Sequence, residues 1–522
     1  MSRHSDRGAY FICREGSLRD AAYLSDDEPI ESLTDSLKEE FRERRHGEPK
    51  FKFGRLFPDL VSELPADDPN VVNELVQLAT EISHKADDKQ NDSTIPSGYT
   101  YLGQFIAHEI TFDKTEEPLG SSAADKGYRS PQIDLDSLYG FGPEKQKYLY
   151  QDSARFKVGE TIAGRNVRRT FFNDLPRSGY GSERFGQALI PDPRNDENLA
   201  IAQTHLAFLR FHNKVVDECG GVFETARKDV IQHFQAIILR DFLPKLLDEK
   251  GLECVRSGEP RYFNPDSEFG TCMPLEFSVA AFRIGHSMVR NQYEWNFVQN
   301  SNMTGPASIA NLFRFTAFSG NLNGKPRLES DWVIDWRRFF DLTSVGYPKD
   351  NRLFNHARKV DTNFSLQIEK IHGYPHLTKH PEHQSIPARN LLRGYAVGLP
   401  SGEQVADMIG VERLGGDKIG IETPLLRGKT PLWYYCLKEA EHNEDGKLGP
   451  VASCIIAETL VGLIKESPNS ILKEKDWKPK YGRRLTIEGP TLSGDAKKYY
   501  GMADLLAFAD VVDPVGEYMG DR

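Results

Sequence analysis

Gln104 and His108 have the types and the spacing that chemistry at a buried site could use. They lie four positions apart, and the Pro-Ser-Gly turn signal at residues 96–98 predicts a helix that begins near Tyr99. On that helix the two side chains share one face. The other sides are apolar and predict burial; they carry Leu102, Phe105, Ile106 and Ile110. The simplest interpretation of His108 alone is a core histidine bonded to a backbone carbonyl.

A cation and a carboxylate follow at Arg194 and Glu197. Asp192 and Pro193 are an N-cap and first-turn pair, which predicts a helix that starts here with Arg194 and Glu197 on one face of its first turn. The apolar seam of this helix consists of Leu199, Ala202, Leu206, Leu209 and Val216. Taken alone, Arg194 and Glu197 are an intrahelical ion pair worth roughly 0.2 to 0.5 kcal/mol.

Two later segments add a second histidine and an asparagine. Residues 282–289 are mainly apolar and predict a helix with His286 beside Gly285, where a neighbour can approach closely. Residues 388–394 carry Asn390 and Arg393 in a polar turn or helix start. Taken alone, His286 is a satisfied core histidine and Asn390 is a capping residue.

Oxygen-bearing side chains alternate along a loop that ends at Gly140. They belong to Ser130, Gln132, Asp134 and Asp136. A hard cation such as Ca2+ takes roughly six to eight oxygen ligands, so the loop could bind one. A plain Asx turn is the alternative interpretation.

Composition limits the possible fold and partners. The chain has 522 residues, 39% of them hydrophobic, so a large core is possible. No apolar run approaches the roughly 18 residues that span a bilayer. The net charge of −11 argues against a nucleic-acid or anionic-membrane surface. Six cysteines without CxxC spacing, and a polar N-terminus without a secretory signal, predict free thiols and a cytoplasmic protein.

Helical patterns dominate the chain and β-rich runs are short, so the predicted fold class is mainly α with few short strands. Residues 71–79 fit an amphipathic helix, whereas residues 1–52 are charged and only weakly periodic. The sequence contains no internal repeat and no long low-complexity linker. One large domain is therefore as consistent with the length as several smaller ones.

The motifs occur in an order that resembles the animal-type haem peroxidase (peroxidase–cyclooxygenase) superfamily, in particular its leaderless bacterial members. They are Gln104-x-x-x-His108, Asp134-x-Asp136-Ser-x-Tyr-Gly, Arg194-x-x-Glu197, Arg283-Ile-Gly-His286 and Asn390-x-x-Arg393. The resemblance implies a polar N-terminal extension at residues 1–52, one large helical haem-peroxidase domain at residues 53–512, and a C-terminal tail at residues 513–522.

On the distal side of a haem, the resemblance implies that His108 is the base and Arg194 its catalytic partner, while Gln104 helps to hold water or an anion. The residue types suit this chemistry. A neutral imidazole can take a proton from hydrogen peroxide and return it to the departing oxygen. A permanently charged arginine can stabilise the charge that develops as the O–O bond breaks.

On the proximal side, the resemblance implies that His286 ligates the haem iron and that Asn390 takes the proton of its other ring nitrogen. A histidine whose second N–H is donated to a neighbour is a better electron donor to iron. Arg283 and Arg393 are basic residues suited to the haem propionates.

The chain departs from the family pattern at residues that bind haem covalently. Ala107 replaces the aspartate that forms one ester to a haem methyl, so that link cannot form. Glu197 matches the other ester-forming position, so haem b with at most one ester is expected. Asn198 replaces the methionine that forms a sulfonium bond.

The calcium site of the family is also altered. Glu109 replaces the aspartate that follows the distal histidine, and it is one methylene longer. The loop residues Ser130, Gln132, Asp134 and Asp136 still match the ligand positions. The resemblance therefore implies that this chain could bind Ca2+.

Three functions compete. The leading hypothesis is a haem peroxidase that reduces hydrogen peroxide and oxidises a small donor such as a halide, thiocyanate or a phenol. A fatty-acid dioxygenase of the same superfamily would commonly have a tyrosine three residues before the proximal histidine, where this chain has Arg283. A haem-binding or adhesion protein without turnover would not need both His108 and Arg194.

Overall fold

The computed structural model describes residues 10–12, 18–20, 51–82, 91–111, 126–127, 131–179, 186–264, 271–365, 385–443, 446–482 and 499–516. Helices provide most of its regular structure, and the strands are only two to five residues long. The predicted mainly α fold class is confirmed. Among the described helices, none combines the length and the hydropathy that a bilayer crossing requires.

Fifteen α-helices are labelled here in chain order. They are α1 Pro69–Glu81, α2 Gly98–Ile110, α3 Asp136–Tyr139, α4 Leu199–Glu218, α5 Phe223–Ile237, α6 Leu243–Leu246, α7 Glu249–Ser257, α8 Ile309–Arg314, α9 Ala317–Gly320, α10 Ile386–Ala396, α11 Gly402–Ile409, α12 Gly416–Ile419, α13 Leu432–Glu441, α14 Pro450–Glu466 and α15 Met502–Phe508. Among the described residues, tighter 3-10 turns cover Lys147–Leu149, Pro193–Asp196, Ala281–Met288, Asn321–Gly324, Ser330–Trp332, Trp336–Arg338, Thr343–Val345 and Ile471–Lys473. Wider π turns cover Ile238–Phe242 and Glu276–Ala280.

The described strands form only two- and three-stranded sheets, and all pairs except β1–β2 join segments that are well separated in sequence. They are β1 Tyr10–Ile12, β2 Leu18–Asp20, β3 Phe51–Gly54, β4 Asp92–Pro96, β5 Lys126–Gly127, β6 Met273–Pro274, β7 Gln292–Tyr293, β8 Ala307–Ser308 and β9 His356–Arg358. The antiparallel pairs are β1–β2, β3–β5, β4–β9 and β7–β8, whereas β3 and β6 are parallel. The predicted start of the large domain, at residue 53, falls inside β3, and the predicted domain limits remain predictions.

The start of α2 is fixed by its contacts with the neighbouring chain. Strand β4 leads directly into the helix, and the Gly98 amide donates to the Phe339 carbonyl at 2.9 Å. A β-carbon on Gly98 would lie 2.4 Å from the Phe340 ring, so only glycine allows this approach. The helix begins one residue before the predicted start at Tyr99.

Aromatic packing in the core sets the position of α2 against α4 and α5. Phe105 of α2 stacks on Phe208 of α4 with centroids 4.8 Å apart. Both rings meet Phe234 of α5 edge-on, at 5.7 and 5.3 Å. Such pairs contribute about 0.5 to 1.5 kcal/mol each beyond area burial. This cluster holds the face of α2 that carries His108 next to the N-terminal end of α4.

The helix predicted to start at Asp192 begins later. Residues Pro193–Asp196 form a 3-10 turn, which Asp192 caps by accepting the Arg194 amide. Asn198 is extended, with φ −140° and ψ 160°, and its side chain accepts the Ile201 amide, so α4 starts at Leu199. Asn198 interrupts the helix because its own capping bond replaces an intrahelical one.

Candidate active site

His108 projects from the last turns of α2 and is buried, with 8% of its surface exposed. Its Nδ1 lies 2.9 Å from Oδ1 of Asn195, and its Nε2 lies 4.0 Å from Oε2 of Glu197. Burial lowers the pKa of His108 to about 4, the positive charge of Arg194 lowers it as well, and Asp192 and Glu197 oppose both effects. The imidazole is therefore neutral at pH 7.

Arg194 lies beside His108, as predicted, and is held by Asp192. Its Nη2 donates to Asp192 Oδ2 at 2.6 Å and its Nε donates to Asp192 Oδ1 at 3.0 Å. The same Nη2 donates to the His108 carbonyl at 2.8 Å. Asp192 is fully buried, so the bidentate pair is strong and geometrically defined. Asp192 therefore has a second role besides the capping role that its sequence position predicts.

Gln104 lies one turn before His108 on α2. Its Oε1 accepts a hydrogen bond from Asn198 Nδ2 at 3.1 Å. Asn198 is also the N-cap of α4. This hydrogen bond between two side-chain amides connects α2 to the start of α4 and sets the orientation of the Gln104 side chain.

Glu197 connects the two predicted sides of the site. Its carboxylate lies 4.0 Å from His108 Nε2, with 18% of the side chain exposed. The same negative charge raises the pKa of His286. Helix α2 also packs against the 3-10 turn Ala281–Met288 that carries His286. The fold thus places the elements that carry the two predicted haem histidines against each other, with Glu197 beside His108.

His286 lies in irregular helical backbone, near the end of the 3-10 turn Ala281–Met288, which follows the π turn Glu276–Ala280. Its Nδ1 lies 2.9 Å from the carbonyl oxygen of Arg283. Burial lowers the pKa of His286 to about 4, and the Arg283 charge acts in the same direction. A neutral imidazole with Nδ1 occupied has Nε2 left to bind a metal.

The structure does not contain the predicted hydrogen bond between His286 and Asn390; the Arg283 carbonyl is the partner of His286 Nδ1 instead. The 3-10 turn brings the carbonyl three residues earlier, at Arg283, to the ring nitrogen that Asn390 was expected to reach. Asn390 lies on α10 with 4% of its surface exposed, and its Nδ2 has no hydrogen-bond partner among the described residues. Arg389, its neighbour on α10, lies near enough to lower the pKa of His286.

The two arginines predicted to bind the haem propionates, Arg283 and Arg393, differ from each other in burial and in the element that carries them. Arg283 is exposed, and its Nε donates to the Ser278 carbonyl at 2.8 Å. Arg393 is partly buried on α10, one turn from Asn390. Arg283 lies on the same 3-10 turn as His286, and α10 packs against the preceding π turn Glu276–Ala280; the propionate role of both arginines remains a prediction.

The structure also brings together two polar residues for which the sequence analysis predicts no role. Asn195 and His205 are both fully buried, and Asn195 Nδ2 lies 3.0 Å from His205 Nδ1. Asn195 thus stands between His205 and His108. A histidine inside the apolar seam of α4 is the signal that could have suggested a buried partner.

Carboxylates meet beside the distal helix, as the calcium hypothesis requires. Oxygen atoms of Glu109, Asp134 and Asp136 all lie within 4.8 Å of one another. Glu109 is fully buried, and its Oε2 accepts the Ser137 amide at 3.1 Å. The Gln132 carbonyl accepts the Asp134 amide at 3.0 Å. Ser130 lies outside the described residues.

The chain matches one protein family over more than half of its length. The family model "Animal haem peroxidase" matches residues 127–414, a range that contains Arg194, His286 and Asn390 and begins after His108. The "Peroxidase-like protein" of Margaritifera margaritifera is 31% identical over 258 residues, which cover 37% of this chain and 32% of that protein. This chain thus spans about a third of the length of that relative.

Solved structures share the fold at low sequence identity. Peroxidase A from Dictyostelium discoideum superposes with a TM-score of 0.53 at 16% identity, covering 90% of this chain and 93% of that chain. A fatty acid alpha-dioxygenase from Arabidopsis thaliana superposes with a TM-score of 0.53 at 10% identity, covering 99% of this chain and 88% of that chain. These likenesses establish the architecture, and a fold alone does not assign chemistry.

Proposed function

Because this chain belongs to the animal haem peroxidase family, we propose that it holds one haem b between His108 and His286 and uses hydrogen peroxide to oxidise a small donor. The packing of α2 against the 3-10 turn Ala281–Met288 is the observation that supports this most directly. It places the elements that carry His108 and His286 side by side although the two histidines are far apart in sequence, and Glu197 lies 4.0 Å from His108 Nε2. A halide, thiocyanate or a phenol is the proposed class of donor.

The residues around His286 fit a haem. The imidazole is neutral, its Nδ1 is bonded to a carbonyl, and its Nε2 would ligate the iron. A β-carbon added to Gly285 would meet nothing within 4 Å, so there is open space beside the ligand. Arg283 and Arg393 would bind the propionates. When bound, the haem iron supplies the redox chemistry with peroxide that no side chain can perform.

On the distal side, His108 moves the proton. Its Nε2 accepts a proton from hydrogen peroxide and returns it to the departing oxygen, while Nδ1 stays bonded to Asn195. This exchange requires a neutral ring, which burial secures by lowering the pKa to about 4. Gln104, fixed by Asn198, would orient water or a small anion in the pocket.

Arg194 stabilises the negative charge that develops on the peroxide. Its guanidinium is fixed by the bidentate pair with Asp192 and by the His108 carbonyl. A charged group already held in place loses little free energy to reorganisation during the reaction.

We also propose a covalent link and a structural metal. Glu197 would form at most one ester with the haem, since Ala107 has no carboxylate to form another. Glu109, Asp134 and Asp136 would bind Ca2+ together with Gln132 and Ser130. Three carboxylates within 4.8 Å repel one another strongly without a cation, which supports this proposal.

A fatty-acid dioxygenase is the second candidate, favoured by the shared fold with alpha-dioxygenases. The deciding experiment compares two assays on the haem-loaded protein. A peroxidase oxidises guaiacol or bromide only when hydrogen peroxide is present. Rapid oxygen uptake with linoleate in the absence of peroxide would overturn the peroxidase proposal. A fully loaded protein that is silent in both assays would indicate a haem-binding protein without turnover.

A further inference from the structure

Asn195 bridges His108 and a second histidine behind it. Its Oδ1 lies 2.9 Å from His108 Nδ1, and its Nδ2 lies 3.0 Å from Nδ1 of His205. Asn195 and His205 are both fully shielded from solvent.

The orientation of the Asn195 carboxamide decides where the protons lie. In the orientation found here the amide oxygen faces His108 and can only accept, which places the proton of His108 on Nδ1 and leaves Nε2 bare. In the same orientation the amide nitrogen donates to His205 Nδ1, which places the proton of His205 on Nε2, a buried atom with no hydrogen-bond partner among the described residues. Which ring nitrogen of a histidine is protonated is set by the hydrogen bond that the other one makes.

We propose that Asn195, supported by His205, is a positioning residue that holds His108 in its Nδ1–H tautomer, with the Nε2 lone pair open to hydrogen peroxide. This inference rests on the proposed function. In the opposite tautomer, Nε2 would present a proton and could not accept one from the peroxide.

The backbone around Asn195 is held on both sides, which makes it suited to this role. Asp192, before it, is paired with Arg194 and accepts the Asn195 amide at its carbonyl, 3.0 Å away. Asp196, after it, is paired with the buried Arg177 at 2.9 Å and accepts the Ala317 amide at 3.1 Å. Two anchored neighbours leave the Asn195 side chain little freedom to turn away from His108.

The tautomer itself is measurable without haem. In the haem-free full chain labelled with 15N-histidine, protonated and bare ring nitrogens give separate NMR shifts, and loss of a signal set in His108→Gln assigns His108. We expect the Nδ1–H pattern in the natural chain, and its replacement by a mixed or Nε2–H pattern in Asn195→Leu. An Nε2–H pattern in the natural chain overturns the proposal without reference to any variant.

Ligand binding to the haem-loaded protein gives a second readout. Hydrogen cyanide must also lose a proton on binding, so its association rate reports the bare Nε2. We expect Asn195→Leu to load haem normally but to bind cyanide and react with peroxide about 10- to 100-fold more slowly. Asn195→Asp keeps an acceptor at the same position and should recover most of the rate.

A matched control separates tautomer control from general loss of packing. Asn213 on α4 also makes two amide hydrogen bonds, both to the backbone of Phe156 at 2.8 and 2.9 Å, and does not contact His108. Asn213→Leu should retain the natural rates. Equal rates in Asn195→Leu and the natural chain, or equal slowing in Asn195→Leu and Asn195→Asp, would refute the role. If the natural chain does not react with peroxide, the proposed function fails, and the NMR result still decides the tautomer.

Discussion

The two histidines of the site are held by different kinds of partner. His108 lies on the regular helix α2, and its Nδ1 bonds to the side chain of Asn195. His286 lies near the end of a 3-10 turn that follows a π turn, and its Nδ1 bonds to the backbone carbonyl of Arg283. Side-chain partners can be changed by substitution, whereas a carbonyl partner is set by the backbone conformation. The distal half should therefore be sensitive to its neighbours, and the proximal half mainly to His286 itself.

The largest distal effect is expected from His108→Ala. The variant should keep its haem, because His108 is not the iron ligand, and should react with peroxide about 10²- to 10⁴-fold more slowly, which is the usual loss when a general base is removed. Stopped-flow absorbance of the haem-loaded protein measures the rate. The exposed His442, which bonds to the Lys418 carbonyl at 3.2 Å, provides the control His442→Ala. If His108→Ala reacts with peroxide at a rate within threefold of that of the natural chain, His108 is not the catalytic base.

A smaller distal effect is expected from Asp192→Asn. The change takes away the buried charge that pairs with Arg194, so the guanidinium loses its fixed direction. We expect the peroxide reaction to slow by about 10- to 100-fold while haem loading is retained. Asp217→Asn is a matched control, since Asp217 forms an exposed 2.6 Å pair with Arg155 and should leave the rate unchanged. If Asp192→Asn reacts with peroxide at the natural rate, the ion pair with Asp192 is not needed to position Arg194.

On the proximal side, Asn390→Ala should have little effect. His286 Nδ1 is already bonded to the Arg283 carbonyl, so the affinity for haem should change by less than about threefold. Haem titration followed by absorbance measures the affinity of both proteins. A loss of tenfold or more would show that Asn390 replaces the carbonyl as partner when haem binds, as the family resemblance implies.

The smallest effect on the site is expected from Glu439→Gln, which tests a buried carboxyl group at the contact between α13 and α14. Burial raises the pKa of Glu439 to about 8, although its Oε2 accepts the Val451 amide at 2.9 Å. Because the folded pKa is raised from 4.5, the contribution of this group is complete below about pH 4.5 and is lost as the pH rises towards 8. The thermal unfolding temperature of the natural chain should fall as the pH rises over that range, and that of Glu439→Gln should fall less. The two proteins should react with peroxide at equal rates. Parallel pH curves for the two proteins would contradict the raised pKa.

Local signals predicted the elements that carry the site. The Pro-Ser-Gly turn placed the start of α2 within one residue, and the apolar faces around His108 predicted its burial. Asp192 caps its turn as predicted, but α4 starts only after Asn198. Periodicity describes which face is apolar and does not distinguish an α turn from a 3-10 turn.

Partners that depend on backbone type were not predictable in the same way. The 3-10 turn at His286 gives the ring a carbonyl three residues earlier, where the resemblance implies Asn390. The contact between Asn195 and His108 joins residues that are distant in sequence, and the types of the two residues do not predict it. The meeting of Glu109 with Asp134 and Asp136 agrees with the expected cation site, because those ligand positions are defined by a local loop and one helix residue.

Haem titration of His286→Ala, alongside the natural chain and His108→Ala, tests the central claim most directly. With His286 as the iron ligand, the natural chain and His108→Ala should each bind one haem and develop a Soret band, and His286→Ala should not. A His286→Ala protein that binds haem with the natural affinity and spectrum would contradict the site described here.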